Sequence, residues 1–348
     1  MTRSTFDVAV ERSDALWGRI QKNPEGLRVL TGDRPTGPLH LGHYFGTLAN
    51  RVRLQRAGVD VFLVIADYQV ITDREDVSSI KQNVRELMLD YLAAGIDEKT
   101  ATIFTHSAVP ALNQLMLPFL SLMSAAELRR NPTVKAESEA VGGSLSGLLL
   151  TYPVHQAADI LFCGGNVVPV GRDQLPHLET TRLIAHRFNE RYGKVFAEPD
   201  ALLSETPLLL GTDGGKMSKS AHNSIALGAS EDETTALIRR AKTDSERVIT
   251  YDPESRPEVS NLLLVAALCQ GRDPAEIAEE IGDAGSGALK KLVTESVNEF
   301  LRPMRSRRAD LAKNPDYLWS VLRAGNERAN AIADTTLDDV RRHMGMSY

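Results

Sequence analysis

Cysteine is nearly absent from this chain of 348 residues: only Cys163 and Cys269 occur, far apart and without a CxxC partner. That excludes a disulfide framework and a cysteine-based zinc or iron–sulfur signature, and it predicts a reducing, cytoplasmic setting. Long apolar runs are missing as well. No stretch reaches membrane-spanning length, and the first residues, with Asp7, Glu11, Arg12 and Asp14, show no secretory apolar segment. Positive charge is not in excess. A net charge of −6 argues against indiscriminate coating of nucleic acid, although local basic clusters can still hold one. Two catalytic signatures are also missing. Gly214-Gly215-Lys216 is followed by Met217 rather than Ser or Thr, so there is no Walker A loop, and no GxSxG elbow occurs.

What is present first sets the fold. Asp60 to Asp67 (DVFLVIAD) is a continuous apolar run of strand length, as expected of a strand buried on both faces of a parallel sheet. Ile80, Val84, Leu87, Met88 and Tyr91 then recur at helical spacing, with Gly95 as a stop. The run Leu27 to Leu30, Ala101 to Thr105 and Asn166 to Val170 are further strand candidates. Strands alternating with helices predict an α/β fold with a doubly wound parallel sheet. From about Asp232 the pattern turns helical, over 234–242, 259–270, 288–300 and 317–344. This gives an N-terminal extension (1–26), an α/β domain (27–230) and a helical domain (231–348).

Two short segments carry the chemistry. His40-Leu41-Gly42-His43 opens a helix after the turn Gly32-Asp33-Arg34-Pro35-Thr36-Gly37, where backbone N–H groups and imidazole donors favour an anion. Lys216-Met217-Ser218-Lys219-Ser220 is a polar loop behind Gly214 and Gly215. Alone, the first reads as a helix cap and the second as a solvated turn. Together they suit a triphosphate. If a carboxylic acid is activated there, its carboxylate is already an anion and needs no general base. Catalysis is then positioning plus stabilisation of phosphoryl charge, with His40, His43, Lys216 and Lys219 as the catalytic set.

Behind a strand-turn-helix and in this order, the pair resembles the HxGH and KMSKS signatures of class I aminoacyl-tRNA synthetases. Further segments resemble tryptophanyl-tRNA synthetases: Leu150-Thr-Tyr-Pro, Ala157-Ala-Asp-Ile-Leu161, Val168 to Gln174, Arg187 to Gly193 and Lys242 to Glu246. The likeness runs from about Arg28 to the C-terminus. It implies a Rossmann-like catalytic domain, ATP with Mg²⁺, L-tryptophan and tRNA(Trp) as partners, a homodimer, and a C-terminal helical domain that reads the anticodon. On the helix Leu149 to Phe162, Tyr152, Gln156 and Asp159 share one face. The resemblance implies that Asp159 accepts the indole N–H, which phenylalanine cannot supply. It also implies that Tyr152 and Gln174 hold the ammonium group, and that Gly171, Arg172 and Asp173 meet ATP. Arg34, Pro35, Thr36, Gly42, His43, Leu208 and Lys216 to Ser220 complete the ATP set. A structural Asp159, paired with an arginine or a backbone N–H, is the alternative.

Three positions depart from the family pattern. Arg34 replaces a glutamine, and it either binds phosphate or pairs with Asp33. Gln69 stands where a histidine near the indole is common, and Gln156 where a methionine is. These amides predict a pocket that takes tryptophan but responds differently to tryptophan-mimicking inhibitors, as an auxiliary or resistant form would. In the helical third, Arg239, Arg240 and Lys242, then Arg302, Arg305, Arg307 and Arg308, form basic clusters. They are expected on the tRNA backbone, against the alternative of a solvated helix face. A tyrosyl enzyme and a synthetase-like binding protein without activity are the competing readings.

Overall fold

The structure is a computed structural model and describes residues 5–72, 76–140, 145–171, 174–203, 208–219 and 221–348. Among these, five strands lie side by side: Arg28–Asp33 (β1), Asp60–Ile65 (β2), Ala101–Thr105 (β3), Val167–Val170 (β4) and Asp200–Leu203 (β5). Their order is β3-β2-β1-β4-β5, and every neighbouring pair is parallel. The chain winds outward from β1 to β3, crosses back and winds outward again to β5. This is the doubly wound sheet expected, with its switch point between β1 and β4.

The apolar run of β2 follows from burial on both faces. Val61, Leu63 and Ile65 join one core, and Phe62 and Val64 join the other. β1 and β2 approach so closely that a Cβ on Gly32 would stand 2.0 Å from the Val64 carbonyl oxygen. The helix after β2 spans Ile80–Ala94 and stops at Gly95, whose φ of 107° suits glycine. β5 was not foreseen in the sequence: it is a short edge strand, only four residues long.

Both ends of the chain pack on this sheet. The helix Thr5–Lys22 buries Leu16 and Ile20 in the core, and Ser13 Oγ accepts the Leu203 N–H at 2.9 Å. The helical third contains Glu231–Arg239, Pro257–Gln270, Pro274–Ile281, Gly285–Ala312 and Pro315–His343. The last of these lies against β3. A Cβ on Gly325 would fall 1.9 Å from the Ile103 carbonyl oxygen. Among the described residues no helix is long and apolar enough to cross a membrane.

Candidate active site

The C-terminal end of β1 is fixed by a buried arginine. Arg51 donates to Thr31 Oγ1 and to the Gly32 carbonyl, each at 3.1 Å, and pairs with Asp33. Tyr91 donates to the same carboxylate at 2.6 Å. Burial alone would push the Asp33 carboxyl up, but the Arg51 charge and these hydrogen bonds bring it down to about 2. Asp33 therefore has Arg51 and Tyr91 as its partners.

The two phosphate segments form one unit. The Leu41 N–H donates to Ile225 O at 3.0 Å and the Leu227 N–H to Leu39 O at 2.9 Å, so the chain just after the lysine loop pairs with the HxGH segment. Lys219 Nζ donates to Gly37 O at 2.8 Å. Gly42 is closely packed, since a Cβ would lie 3.1 Å from both the His40 ring and Met217 Sδ, tighter than an ordinary contact. The rings of His40 and His43 stand 3.7 Å apart, and His43 Nδ1 accepts the His40 backbone N–H at 3.3 Å. Burial, with His43 and Lys219 adding to it, pushes His40 down to about 3. Burial likewise outweighs the opposing Asp33 charge and leaves His43 at about 4. Both rings are neutral donors at pH 7 and supply no fixed positive charge.

Asn223 staples the lysine loop. Its Nδ2 donates to Asp213 Oδ1 at 2.8 Å and to Lys216 O at 3.0 Å, while its Oδ1 accepts the Ser218 N–H at 2.8 Å.

At the switch point a cavity of about 360 Å³ opens between β1 and β4. The helix Gly147–Phe162 sends Tyr152, Gln156 and Asp159 into it, as the shared face predicted. Gln69 and Gln174 line the same space. Asp159 is 4% exposed. Its Oδ2 bonds His106 Nε2 at 3.0 Å, whereas Oδ1 has no hydrogen-bond partner among the described residues. Such a buried acceptor is costly unless a ligand donor meets it. Tyr152 Oη stands 3.0 Å from His177 Nε2, and burial followed by the Glu137 carboxylate raises its pKa.

A profile described as "tRNA synthetases class I (W and Y)" matches residues 22–302. The chain belongs to this family. The tryptophan–tRNA ligase of Treponema pallidum is 42% identical over 333 residues, covering 92% of this chain and 97% of that protein. The one from Thermotoga maritima is 39% identical, covering 92% and 100%. A crystal structure of tryptophanyl-tRNA synthetase from Campylobacter jejuni, complexed with ADP and tryptophan, matches with a TM-score of 0.81 at 33% identity, covering 92% of this chain and 100% of that one. Full-length likeness of this order puts the chain on the tryptophan side of the family.

Within that family frame, Tyr152, Gln156, Asp159, Gln69 and Gln174 share the first cavity with Arg34 and Gly171. His40 and Lys219 line a neighbouring one of about 520 Å³. Pro35 is buried in the turn, and the Thr36 N–H closes it on Arg34 O at 2.8 Å. Met217 is buried, and Lys216 is exposed beside the loop. Leu208 lines neither cavity and is 75% exposed. Arg172, Asp173 and Ser220 lie outside the described residues. The basic clusters need correction. Arg308 pairs with Asp90 and Glu86, Arg307 Nε donates to Ala93 O at 2.7 Å, and Arg305 donates to Thr234 Oγ1 at 2.7 Å and Asn298 Oδ1 at 2.9 Å. Arg305 and Arg308 sit on the face of Gly285–Ala312 that packs inward, so their donors are used within the fold, whereas Arg307 is exposed apart from its bond to Ala93. Lys242 bonds Glu258 at 2.6 Å, and Arg239 and Arg240 are exposed.

Sequence reasoning missed His106, His155, Asn113, Asn223 and Glu137. One signal was available for His106: it directly follows β3, at the strand end where ligands of such sheets bind.

Proposed function

We propose that this chain activates L-tryptophan with ATP and transfers it to tRNA(Trp). The observation that carries the reading is the buried Asp159, which lines the cavity at the switch point and whose Oδ1 has no hydrogen-bond partner among the described residues. A ring N–H is a donor and nothing else, so it complements that oxygen.

In the first step a carboxylate oxygen of tryptophan attacks the α-phosphorus and the bond to pyrophosphate breaks, giving the adenylate. In the second a terminal ribose hydroxyl of tRNA attacks the acyl carbon, loses its proton, and AMP leaves. Arg34, Pro35, Thr36 and Gly42 with His43 take the turn side of the triphosphate, and Lys216 to Ser220 take the other. His40 and His43 give uncharged N–H donors, while Lys216 and Lys219 oppose the charge that moves onto pyrophosphate. Gly171, Arg172 and Asp173 are assigned to the nucleotide, and Tyr152 and Gln174 to the ammonium group. Among the described residues lining the larger cavity none is acidic. Mg²⁺, which neutralises phosphate charge when bound, would thus be held by phosphate oxygens and water.

The helical third from residue 231 is assigned to tRNA, with Arg239 and Arg240 as backbone contacts, and the enzyme is taken as a cytoplasmic homodimer. The amides Gln69 and Gln156 support an inhibitor-resistant pocket. Amino-acid-dependent ATP–pyrophosphate exchange tests the reaction. Exchange with tryptophan supports it; exchange with tyrosine alone, or with neither, overturns it.

A further inference from the structure

Asp159 is bonded to a histidine at the end of β3. His106 is fully buried at 0% exposure, and its Nε2 bonds Asp159 Oδ2 at 3.0 Å. Its backbone is held on both sides. The Thr105 N–H donates to Asn326 Oδ1 at 3.0 Å, and the Ser107 N–H donates to Asp67 Oδ1 at 3.1 Å. The Tyr68 ring stacks over the imidazole, with centroids 6.4 Å apart and planes 25° from parallel.

A second imidazole, His155, lies 4.5 Å away, centroid to centroid. It cannot take over the task. Its Nδ1 lies 3.4 Å from Gln69 Nε2 and its Nε2 lies 3.1 Å from Asn113 Oδ1, so both nitrogens are engaged. His106, His155 and Asp159 lie near enough to share a metal ion. The hydrogen bonds already on Oδ2 and on both His155 nitrogens favour a bonded network instead.

We propose that His106 is a positioning residue for substrate choice: by occupying Oδ2 it locks the Asp159 carboxylate so that Oδ1 alone meets the ring N–H of tryptophan. This rests on the reading that Asp159 accepts that N–H. An unlocked carboxylate turns about its χ2 bond and offers the ring no fixed acceptor. The aligned acceptor rejects any ring that lacks a donor, since such a ring leaves the oxygen unpaired. In support, the Asp159 and Asp67 charges overcome burial and raise the His106 pKa, which favours the ion pair.

The test compares kcat/KM in ATP–pyrophosphate exchange for tryptophan and for 3-benzothienylalanine, in which sulfur replaces the ring N–H. In His106→Leu the preference for tryptophan falls by about tenfold or more, through the KM for tryptophan, with the KM for ATP unchanged. His106→Gln, which keeps a donor, retains most of it. An unchanged preference in His106→Leu, or equal losses for both substrates, overturns the proposal. Asp159→Ala separates the two ideas: if it leaves the preference intact, the underlying role of Asp159 fails; if it abolishes the preference and His106→Leu does not, only the proposal fails. Should His106→Leu not fold, nitrogen NMR of the wild type decides. Nε2 stays protonated when tryptophan saturates the site, and a deprotonated Nε2 overturns the proposal.

Discussion

Arg308 and Asp90 join the helical third to the phosphate site. Arg308 Nε donates to Asp90 Oδ1 at 2.9 Å, and Asp90 Oδ2 accepts the backbone N–H of Leu39, next to His40, at 2.7 Å. Asp90 is 1% exposed. Removing one partner of a buried pair leaves an uncompensated charge. Arg308→Met is expected to lower stability by about 3 kcal/mol in urea unfolding. It also raises the KM for ATP, because Leu39 loses a fixed acceptor. A variant with unchanged KM for ATP would show that the link is purely structural.

Acid stability follows from Asp33. Its carboxyl is held at about 2, below the ordinary 3.8. The folded state thus binds its proton later than the unfolded one, so the stabilisation is complete above about pH 4 and disappears as pH falls through 2. It amounts to roughly 2 kcal/mol. His40 and His43, at about 3 and about 4, act in the same direction. The unfolded chain protonates them first, so stability begins to decline below about pH 6.5. Tyr91→Phe removes one hydrogen bond from Asp33 and is expected to move the acid limb upward. Superimposable unfolding midpoints between pH 5 and 2 would refute this.

Asn223 acts on the lysine loop alone. Asn223→Ala removes its bonds to Asp213, Lys216 and Ser218. The expected result is a KM for ATP raised about tenfold, with the KM for tryptophan unchanged. Equal changes in both constants would point to a general loss of structure instead.

Gln69 tests inhibitor response. It donates toward His155 Nδ1 and lines the cavity beside Asp159. Gln69→His is expected to keep exchange activity and to change the inhibition constant of tryptophan-mimicking inhibitors by about tenfold, the scale of one hydrogen bond to a buried group. Unchanged constants with activity intact would remove the idea of a resistant pocket.

Legibility differed from element to element. β2 was readable because a strand buried on both faces has no polar alternation. β5 was not, since Asp200-Ala-Leu-Leu carries no pattern of its own and pairs only because β4 lies beside it. The helix 315–343 was visible by spacing, but its contact with β3 through Gly325 is tertiary and leaves no local mark. The phosphate segments and Asp159 were legible because each is a compact motif. His106, His155, Asn113 and Asn223 stand on separate elements, and only folding brings each to its partners.

The contact of the last helix with β3 has a consequence for synthesis. Asn326 holds the Thr105 N–H at 3.0 Å, and Asn330 Nδ2 donates to the Ala108 carbonyl at 2.6 Å, on either side of His106. A chain that stops short of these residues has its nucleotide turn, its lysine loop and Asp159, but lacks two of the bonds that fix the end of β3. On the ribosome, the pocket for the amino acid is therefore finished only after Asn326 and Asn330 have emerged, more than 200 residues after His106.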